Sequence, residues 1–365
     1  MGRVSDRFPE FPWDTLAAAK RRAAEHPDGI VDLSIGTPVD PVPAVVVEAL
    51  TAAADAHGYP TVLGPEAVRA SAADWLARTA GVEGLTPEHV LMTIGSKELI
   101  ANLPMQLGLG AGDLVVYPEL AYPTYEVGAR YAGCEVLAAD STIAVGPRRP
   151  ALVYLNSPAN PTGRVLGVDH LRKVVTWARE RDVLVVSDEC YLEHAWETPA
   201  VSVLHPDVCD GDFTGLLAVH STSKRSNLAG YRAAFVAGDP AVVAELLAVR
   251  KHLGFMVPTP VQQAMAAAFA DDEHAAVQRQ AYAARRTVLR GGLEAAGFTI
   301  EHSEGALYLW ATRGEPCRET IAWLAERGIL AAPGEFYGPA GARHVRVAFT
   351  ATDERISAAA ARLAR

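Results

Sequence analysis

Between residues 89 and 237 the sequence alternates short apolar runs with helical patterns, which restricts the folds that the chain can adopt. The runs are rich in β-branched residues and have no polar face, as expected for strands covered on both sides of a sheet. They are HVLMTI (89–94), LVVY (114–117), ALVYL (151–155), VLVVS (183–187), LLAVH (216–220) and AAFVA (233–237). Strands that alternate with helices indicate an α/β fold, with a mostly parallel sheet sandwiched by helices.

A different order of elements follows this alternation. Besides the crossover helices near 97–107, 123–131 and 168–180, the patterns predict helices at 15–26, 43–56, 65–79 and one or two over 260–296. The stretch FTIEHSEGALYLWA predicts two short strands around Gly305, before a helix at 316–327 and a strand at 344–349. We therefore expect a smaller α+β domain. The expected boundaries are 1–40 for an N-terminal arm or part of the small domain, 41–270 for the large domain and 271–365 for the small C-terminal domain.

Charge and cysteine content narrow the functional classes. The formal net charge is -10 and there is no Lys/Arg-rich run, which disfavours nucleic-acid binding. Cys134, Cys190, Cys209 and Cys317 lack CxxC spacing, so we expect reduced thiols rather than disulfides or a metal site. The N-terminus has no apolar signal region, and no apolar stretch reaches the roughly 18 residues of a membrane span. These features predict a cytoplasmic protein that binds neither nucleic acid nor membrane.

Polar residues follow five of the runs, at the edge of the sheet where the carboxyl ends of parallel strands meet. They are Gly95-Ser96-Lys97, Pro118 to Tyr122, Asn156 to Asn160, Asp188 to Tyr191 and Ser221 to Lys224. Single residues of these segments have ordinary structural explanations. Asp188 could cap a helix, Asn160 could build a turn and Tyr122 could pack in the core. Ligands of open α/β sheets bind outside this edge, so five such segments together favour an active site there.

The residue types at this edge indicate a particular cofactor. The stretch GLGAGD precedes a strand and is typical of a turn, whereas GSKEL opens a helix whose free N–H groups can hold an anion. Pyridoxal phosphate requires such an anion site, and an amine for its aldehyde. It also needs a carboxylate for its ring nitrogen, a guanidinium for its phosphate and an aromatic face. The sequence provides all of these after its apolar runs.

Several stretches also resemble the class I/II aminotransferases, which are pyridoxal-phosphate enzymes of fold type I. STSKRSNLAGYR is similar to the family's Schiff-base segment. The other similar stretches are YPTVLGPEAVR, NSPANPTG, SDECY, AAPGEFYG and HVRVAF, and they occur in the family's order. The resemblance covers nearly the whole chain. It implies transamination between an amino acid and a 2-oxo acid.

The resemblance implies a catalytic role for several residues. Lys224 would be the Schiff-base lysine and the base that moves the substrate proton, and Asp188 would hold the pyridinium nitrogen. Tyr191 and Asn160 would donate hydrogen bonds to the cofactor's 3′-oxygen. Tyr122 would stack on the cofactor ring.

The resemblance also implies how the phosphate and the substrate are held. The implied phosphate ligands are Ser221, Ser223, Arg232, the backbone of Ser96 and Lys97, and Tyr59 from a neighbouring subunit. The role of Tyr59 implies a homodimer with shared active sites. Arg346 would clamp the substrate α-carboxylate, with Gly36 and Asn160 close to it, whereas Arg343 is expected to be solvated.

Two stretches resemble actinobacterial succinyldiaminopimelate aminotransferases. They are residues 6–43 and RKHLGFMVPTPVQ (250–262). This resemblance implies N-succinyl-LL-2,6-diaminopimelate and 2-oxoglutarate or glutamate as substrates, in lysine biosynthesis. Because that substrate carries a distal carboxylate, the site should offer a further cation. The candidates, which the sequence does not rank, are Lys20, Arg225 and Lys251.

Other functions stay open at this point. Another class I/II aminotransferase, acting on aspartate, acetylornithine or an aromatic amino acid, would share the cofactor motifs. A carbon–sulfur β-lyase would share them as well. A regulator that combines this fold with a DNA-binding module is disfavoured, because the sequence has no basic helix.

Overall fold

The structure is a computed structural model that describes residues 8–364. Its helices are α1 (Ala17–Ala24), α2 (Ala44–Ala52), α3 (Glu66–Ala80), α4 (Ser96–Gln106), α5 (Thr124–Ala132), α6 (Thr142–Val145), α7 (Val168–Arg179), α8 (Pro206–Cys209), α9 (Thr222–Arg225), α10 (Pro240–Leu253), α11 (Thr259–Ala270), α12 (Glu273–Ala295), α13 (Cys317–Glu326) and α14 (Asp353–Leu363). Its strands are β1 (Val31–Asp32), β2 (Val90–Thr93), β3 (Leu114–Tyr117), β4 (Glu135–Ala138), β5 (Leu152–Asn156), β6 (Leu184–Asp188), β7 (Leu216–Ser221), β8 (Ala234–Gly238), β9 (Thr299–Glu301), β10 (Tyr308–Thr312), β11 (Ile329–Leu330), β12 (Ala332–Pro333) and β13 (Val345–Ala348). Within this described range, no helix combines the length and the apolar character needed to cross a bilayer.

The central sheet has seven strands in the order β2-β8-β7-β6-β5-β3-β4. Strands β4, β3, β5, β6 and β7 pair in parallel, which confirms the predicted mostly parallel sheet. Strand β8 is the exception, since it runs antiparallel to both β7 and β2. Its link to β7 contains only the one-turn helix α9 and a 3-10 turn at Ala229–Tyr231, which are too short to carry the chain back along the sheet.

Strand β4 and helix α10 of this layer were not predicted from the sequence, and neither were the four-residue helices α6, α8 and α9. Strand β4 reads EVLA, and its end residues are exposed because it forms the edge of the sheet, so no buried apolar run marks it. Helix α10 did carry a signal. Asp239 caps it by accepting a hydrogen bond from the Ala241 N–H at 2.8 Å, and Pro240 occupies the first helical turn.

Both faces of the central sheet are buried, as the two-sided apolar runs predicted. In β5, Val153 and Leu155 pack into the cluster formed with α3 and α7. The alternate residues Leu152 and Tyr154 pack into the cluster formed with α4, α5 and α10. Successive side chains of a strand point to opposite faces, so each run contributes to both clusters. Only the strand ends remain to present polar groups.

A separate four-stranded antiparallel sheet, in the order β12-β13-β10-β9, lies in the C-terminal part of the chain. Its residues form a third buried cluster with α12, α13 and α14. The N-terminal segment joins this cluster, because β1 pairs in parallel with β11, with Val31 opposite Ile329. The predicted domain boundaries at 40/41 and 270/271 stay a prediction, which this division of the buried residues supports.

Candidate active site

A cavity of about 420 Å³ lies at the carboxyl ends of β5, β6 and β7. This volume is within the range of small-molecule sites, roughly 300–1,000 Å³. The residues predicted for the site that line this cavity are Gly36, Ser96, Lys97, Tyr122, Asn160, Asp188, Tyr191, Ser221, Ser223, Lys224, Arg232 and Arg346. The predicted edge of the sheet is therefore where the structure brings these candidate residues together around one cavity.

Lys224 lies on α9, directly after β7. Ser221 begins this helix, and its Oγ accepts a hydrogen bond from the Ser223 N–H at 3.1 Å. The Lys224 ammonium donates to the carbonyl oxygen of Gly36. Burial, and next the positive charge of Arg346, lowers the pKa of Lys224 to about 8. A lysine with this pKa is neutral often enough near neutral pH to act as a nucleophile or a base.

Asp188 is the last residue of β6 and is only 9% exposed. Its Oδ2 accepts a hydrogen bond from the Tyr125 hydroxyl at 2.8 Å, and its Oδ1 accepts one from the Cys190 N–H at 3.2 Å. Burial raises the pKa of Asp188, because no cation within residues 8–364 forms an ion pair with it. A buried carboxylate without a counter-charge can stabilise a cationic ring nitrogen beside it.

The first turn of α4 lies on the cavity wall. Gly95 precedes the helix with a φ of 77°, which leaves the N–H groups of Ser96 and Lys97 pointing away from the helix. A Cβ on Gly95 would collide with the guanidinium of Arg232, so only glycine allows this approach. The Ser221 and Ser223 hydroxyls are 2.9 Å apart on the same cavity wall. Together these donors can hold a phosphate.

Arg346, on β13, is 2% exposed and reaches into the cavity from the second sheet. Its guanidinium donates to Asn160 Oδ1 at 2.7 Å and to the Ser34 carbonyl at 2.8 Å. Its Cζ lies 4.0 Å from the ring centroid of Tyr308 and 4.9 Å from that of Tyr337. The Nε of Arg346 is buried without a hydrogen-bond partner among the residues described, so the guanidinium retains a donor.

Asn160 and Tyr191 face the same cavity from β5 and β6. The Asn160 amide oxygen is bound by Arg346, which leaves its NH₂ group to donate elsewhere. The Tyr191 hydroxyl lies 2.8 Å from that of Tyr308. Tyr122 forms another wall of the cavity, and the Lys97 ammonium lies 5.5 Å from its ring centroid.

Tyr59 is the predicted site residue that does not line this cavity. Its side chain is 96% exposed. The prediction placed it at the phosphate of a neighbouring subunit, so its position in one chain leaves that role as a prediction.

The sequence analysis gave no role to three aromatic residues that line the cavity: Trp13, Tyr125 and Tyr308. Tyr125 had a detectable signal, because it ends the stretch AYPTY, which follows an apolar run and contains Tyr122. Trp13 and Tyr308 had no such signal. Trp13 lies in the N-terminal segment and Tyr308 in the C-terminal sheet, and neither follows a strand of the predicted parallel sheet.

The candidate cations for a distal carboxylate do not line the cavity. Arg225 is buried in ion pairs with Glu193 at 2.6 Å and Asp272 at 3.0 Å. Lys20 lies 3.6 Å from Asp32, and Lys251 is exposed on α10. The sequence could not reveal this, because the direction of a charged side chain depends on partners far along the chain.

The layered sheet, with helices on both faces, is the fold of the fold type I pyridoxal-phosphate transferases. The family model for aminotransferase class I and II matches residues 28–363, and the chain belongs to this family. Pyridoxal 5′-phosphate is its cofactor, and its substrates are amino acids and 2-oxo acids.

Similar proteins extend over the whole chain. It is 66% identical over 362 residues to a probable aminotransferase of Mycobacterium tuberculosis, covering 99% of this chain and 87% of the relative. It is 58% identical to 4-dedimethylamino-4-oxo-anhydrotetracycline transaminase OxyQ of Streptomyces rimosus. That match covers 98% of this chain and 99% of the relative. Among solved structures, a probable N-succinyldiaminopimelate aminotransferase of Thermus thermophilus matches with a TM-score of 0.87 and 29% sequence identity. That match covers 97% of this chain and 99% of the solved chain.

The residues of the cavity fit the cofactor. Asp188 is a buried carboxylate that lacks a cationic partner within the described part of the chain, as a site for a protonated ring nitrogen requires. Lys224 offers an amine of lowered pKa, and Arg232 with the start of α4 offers donors for a dianionic phosphate. The chain thus has a complementary group for each end of pyridoxal phosphate.

Proposed function

We propose that this protein is a succinyldiaminopimelate aminotransferase. It would exchange amino groups between N-succinyl-LL-2,6-diaminopimelate and 2-oxoglutarate, in cytoplasmic lysine biosynthesis. The resemblance of residues 6–43 and the name of the Thermus thermophilus structure support this substrate. The observation that carries the proposal is a cation in the cavity, Lys97, that neither cofactor nor α-carboxylate needs.

The cofactor, when bound, supplies the electron sink that makes the substrate's Cα–H acidic. Lys224 would hold the cofactor covalently until a substrate amine replaces it, and would then move the proton at the substrate Cα. Asp188 would keep the ring nitrogen protonated, because its own carboxylate lacks another counter-charge. Tyr122 would cover one face of the ring.

Holding the cofactor while its covalent bond is exchanged requires strong non-covalent contacts. The phosphate would be bound by Ser221, Ser223, Arg232 and the N–H groups of Ser96 and Lys97. Charge-assisted hydrogen bonds contribute about 1.5–3 kcal/mol each, so several of them could retain the cofactor through a complete turnover.

The substrate α-carboxylate would bind to Arg346, whose planar fork suits a carboxylate. Asn160 would lie beside it, since its amide oxygen already accepts from Arg346 at 2.7 Å. Its NH₂ group would then donate to the cofactor's 3′-oxygen together with the Tyr191 hydroxyl. Gly36, which lines the cavity next to the Tyr308 ring, would lie close to this carboxylate.

Lys97 supports an acidic substrate side chain. With Arg232 assigned to phosphate and Arg346 to the α-carboxylate, its ammonium is the remaining cation of the cavity wall. It lies 5.9 Å from the ring centroid of Phe11 and 5.5 Å from that of Tyr122. Lys97 is exposed at the edge of the cavity and makes no ion pair within residues 8–364, so an incoming distal carboxylate could bind it without breaking one.

A half-reaction screen tests the substrate. Holoenzyme is mixed separately with glutamate, succinyldiaminopimelate, aspartate and phenylalanine, and the loss of the bound cofactor's visible band is followed. We expect rapid loss with glutamate and succinyldiaminopimelate. Rapid loss with aspartate or phenylalanine, and none with succinyldiaminopimelate, would refute this substrate but not transamination.

Two lysine variants test the proposed carboxylate contact. Lys97→Met should lower kcat/KM for glutamate by roughly two- to fivefold, because the ammonium is exposed to water and its contact with a carboxylate is screened, and should leave alanine nearly unaffected. Lys251→Met removes an exposed lysine outside the cavity and should change neither. Equal losses for glutamate and alanine would assign Lys97 to the phosphate instead.

An aminotransferase for an aromatic substrate is the second candidate. The cavity has aromatic walls at Trp13, Tyr122 and Tyr308, and the 58% identical relative is named for a polycyclic substrate. The phenylalanine sample of the screen distinguishes this candidate from the first.

We also propose a homodimer with shared sites, in which Tyr59 reaches the partner's phosphate. The Tyr59 side chain is 96% exposed in a single chain and is therefore free to reach a second copy. Mixing Lys224→Ala chains with Tyr59→Ala chains should form hybrids with one intact site, and so recover activity that neither variant has alone. No recovery, in hybrids verified by mass, would contradict this arrangement.

A further inference from the structure

Two tyrosine hydroxyls from different sheets meet at the wall of the cavity. Tyr191 follows β6 of the central sheet, and Tyr308 begins β10 of the C-terminal sheet. Their hydroxyl oxygens are 2.8 Å apart, and their rings are nearly perpendicular, with centroids 5.7 Å apart. Both side chains are almost fully buried, at 7% and 3% exposure, so this hydrogen bond is protected from water.

The Tyr308 ring is held in place by two other groups of the site. The Arg346 guanidinium lies over its face, with Cζ 4.0 Å from the ring centroid. On another side, a Cβ added to Gly36 would lie 2.5 Å from the Tyr308 hydroxyl and 2.7 Å from its Cε1. Tyr308 therefore contacts the proposed carboxylate clamp and the proposed hydrogen-bond donor at once.

We propose that Tyr308 is a positioning residue that contacts both Tyr191, next to the central sheet, and Arg346, on the C-terminal sheet. Its hydroxyl donates to the oxygen of Tyr191, which directs the Tyr191 proton towards the cofactor's 3′-oxygen, and its ring holds the Arg346 guanidinium. This inference rests on the roles given above to Tyr191 and Arg346.

Counting protons supports the direction of this hydrogen bond. A phenol has one proton to donate and can accept through its oxygen. If Tyr191 uses its proton on the 3′-oxygen, the proton in the 2.8 Å contact must come from Tyr308. Burial raises the pKa of Tyr191, and the neighbouring Tyr308 adds to the rise, so Tyr191 stays protonated and able to donate. Donors in such a chain strengthen one another.

Tyr337 provides a matched control. Its ring also lies near the Arg346 guanidinium, at 4.9 Å, and it is 3% exposed. Its hydroxyl, however, has no hydrogen-bond partner among the residues that the structure describes. Removing this hydroxyl therefore changes a buried tyrosine beside Arg346 without touching the Tyr191 contact.

A pH titration of the bound cofactor's absorbance gives a readout other than activity. The titratable and charged groups that face the two hydroxyls are Tyr125, Cys190, His194, Tyr282, Tyr337 and Arg346. Burial raises the pKa of these tyrosines and of Cys190, and lowers the pKa of His194 to about 3. None of these groups changes charge near neutral pH. Lys224, whose pKa is lowered to about 8, lines the same cavity, but in the holoenzyme its amine would be bound to the cofactor, so a titration in that range reports on the cofactor.

The expected shift has a definite sign. A donor to the 3′-oxygen stabilises its anionic form and so favours loss of the cofactor's proton at lower pH. Tyr308→Phe weakens that donor and should raise the midpoint by up to about one pH unit. Tyr337→Phe should leave the midpoint where it is. An unshifted midpoint in Tyr308→Phe, or an equal shift in both variants, would overturn the inference.

A second comparison isolates the ring from the hydroxyl. Tyr308→Phe keeps a ring over Arg346 and should change KM for the amino donor by less than about twofold, whereas Tyr308→Leu should raise KM by roughly two- to tenfold. If the Tyr308→Leu variant does not fold, the pH titration of the Tyr308→Phe variant alone tests the role of Tyr308. A wild-type protein without a visible band or any half-reaction would refute the proposed function itself. If the wild-type protein shows the visible band and the half-reaction, an unshifted titration midpoint in Tyr308→Phe would refute only the role of Tyr308.

Discussion

Replacing Arg346 with lysine tests how the substrate carboxylate is bound. The guanidinium makes two hydrogen bonds, at 2.7 Å to Asn160 and 2.8 Å to the Ser34 carbonyl, and keeps a buried Nε without a partner. A lysine keeps the charge but not the planar fork, so it cannot hold Asn160 and Ser34 and still present a two-point contact to a carboxylate.

The magnitude follows from the contacts that are lost. One charge-assisted hydrogen bond to the substrate contributes about 1.5–3 kcal/mol, which corresponds to roughly a 10- to 150-fold fall in kcat/KM. This binding is present in both ground state and transition state, so most of the loss should appear as a higher KM. A smaller fall in kcat is expected in addition, because Asn160 loses the contact that orients its amide.

The assay is a pair of single-turnover half-reactions, one with glutamate and one with a 2-oxo acid. Both substrates carry an α-carboxylate, so kcat/KM should fall by similar factors in the two directions. Arg343→Lys is the matched control, since Arg343 is exposed nearby and bonds the Gly314 carbonyl. The reasoning is refuted if Arg346→Lys lowers kcat alone with KM unchanged, or if only one half-reaction is affected.

Three further predictions concern the amine, the buried acid and the packing of the scaffold. Because the pKa of Lys224 is lowered to about 8, covalent loading of apo-protein should slow about tenfold per pH unit below that value, and a rate independent of pH would contradict this. Asp188→Asn should lower kcat by at least about 100-fold while the apo-protein melts no earlier, since an uncompensated buried charge is removed; an early-melting apo-protein would count against it. Gly128→Ala would place a Cβ 2.6 Å from the Ala101 carbonyl between α5 and α4 and should destabilise by roughly 1–3 kcal/mol in thermal unfolding. Gly291→Ala, in open space on α12, should not destabilise.

The sequence predicted much of the site because its residues lie at strand ends. Asp188 and Lys224 follow apolar runs, and a parallel sheet brings such positions to one edge. The cavity indeed collects them with Asn160 and Tyr122. The antiparallel direction of β8 could not be predicted in this way, because its apolar run resembles those of its parallel neighbours.

The choice among charged residues was beyond the sequence. Lys20, Arg225 and Lys251 were equally good candidates for a distal carboxylate, yet Lys97 is the lysine that joins Lys224 in the cavity wall. Arg225 instead forms buried ion pairs, although it is the immediate neighbour of Lys224. A long side chain on a short helix can point to either side of the sheet, and its packing partners decide which.

The sequence by itself determined the layered α/β fold and the pyridoxal-phosphate chemistry, because periodic apolar runs and short contiguous motifs encode both locally. Only the tertiary structure decided how the catalytic groups are supported. The contacts Tyr125–Asp188, Tyr191–Tyr308 and Asn160–Arg346 join residues 63, 117 and 186 positions apart. No local pattern specifies such pairs. The first forms where α5 packs on the central sheet, and the other two form only when two sheets with separate cores pack against each other around the cavity.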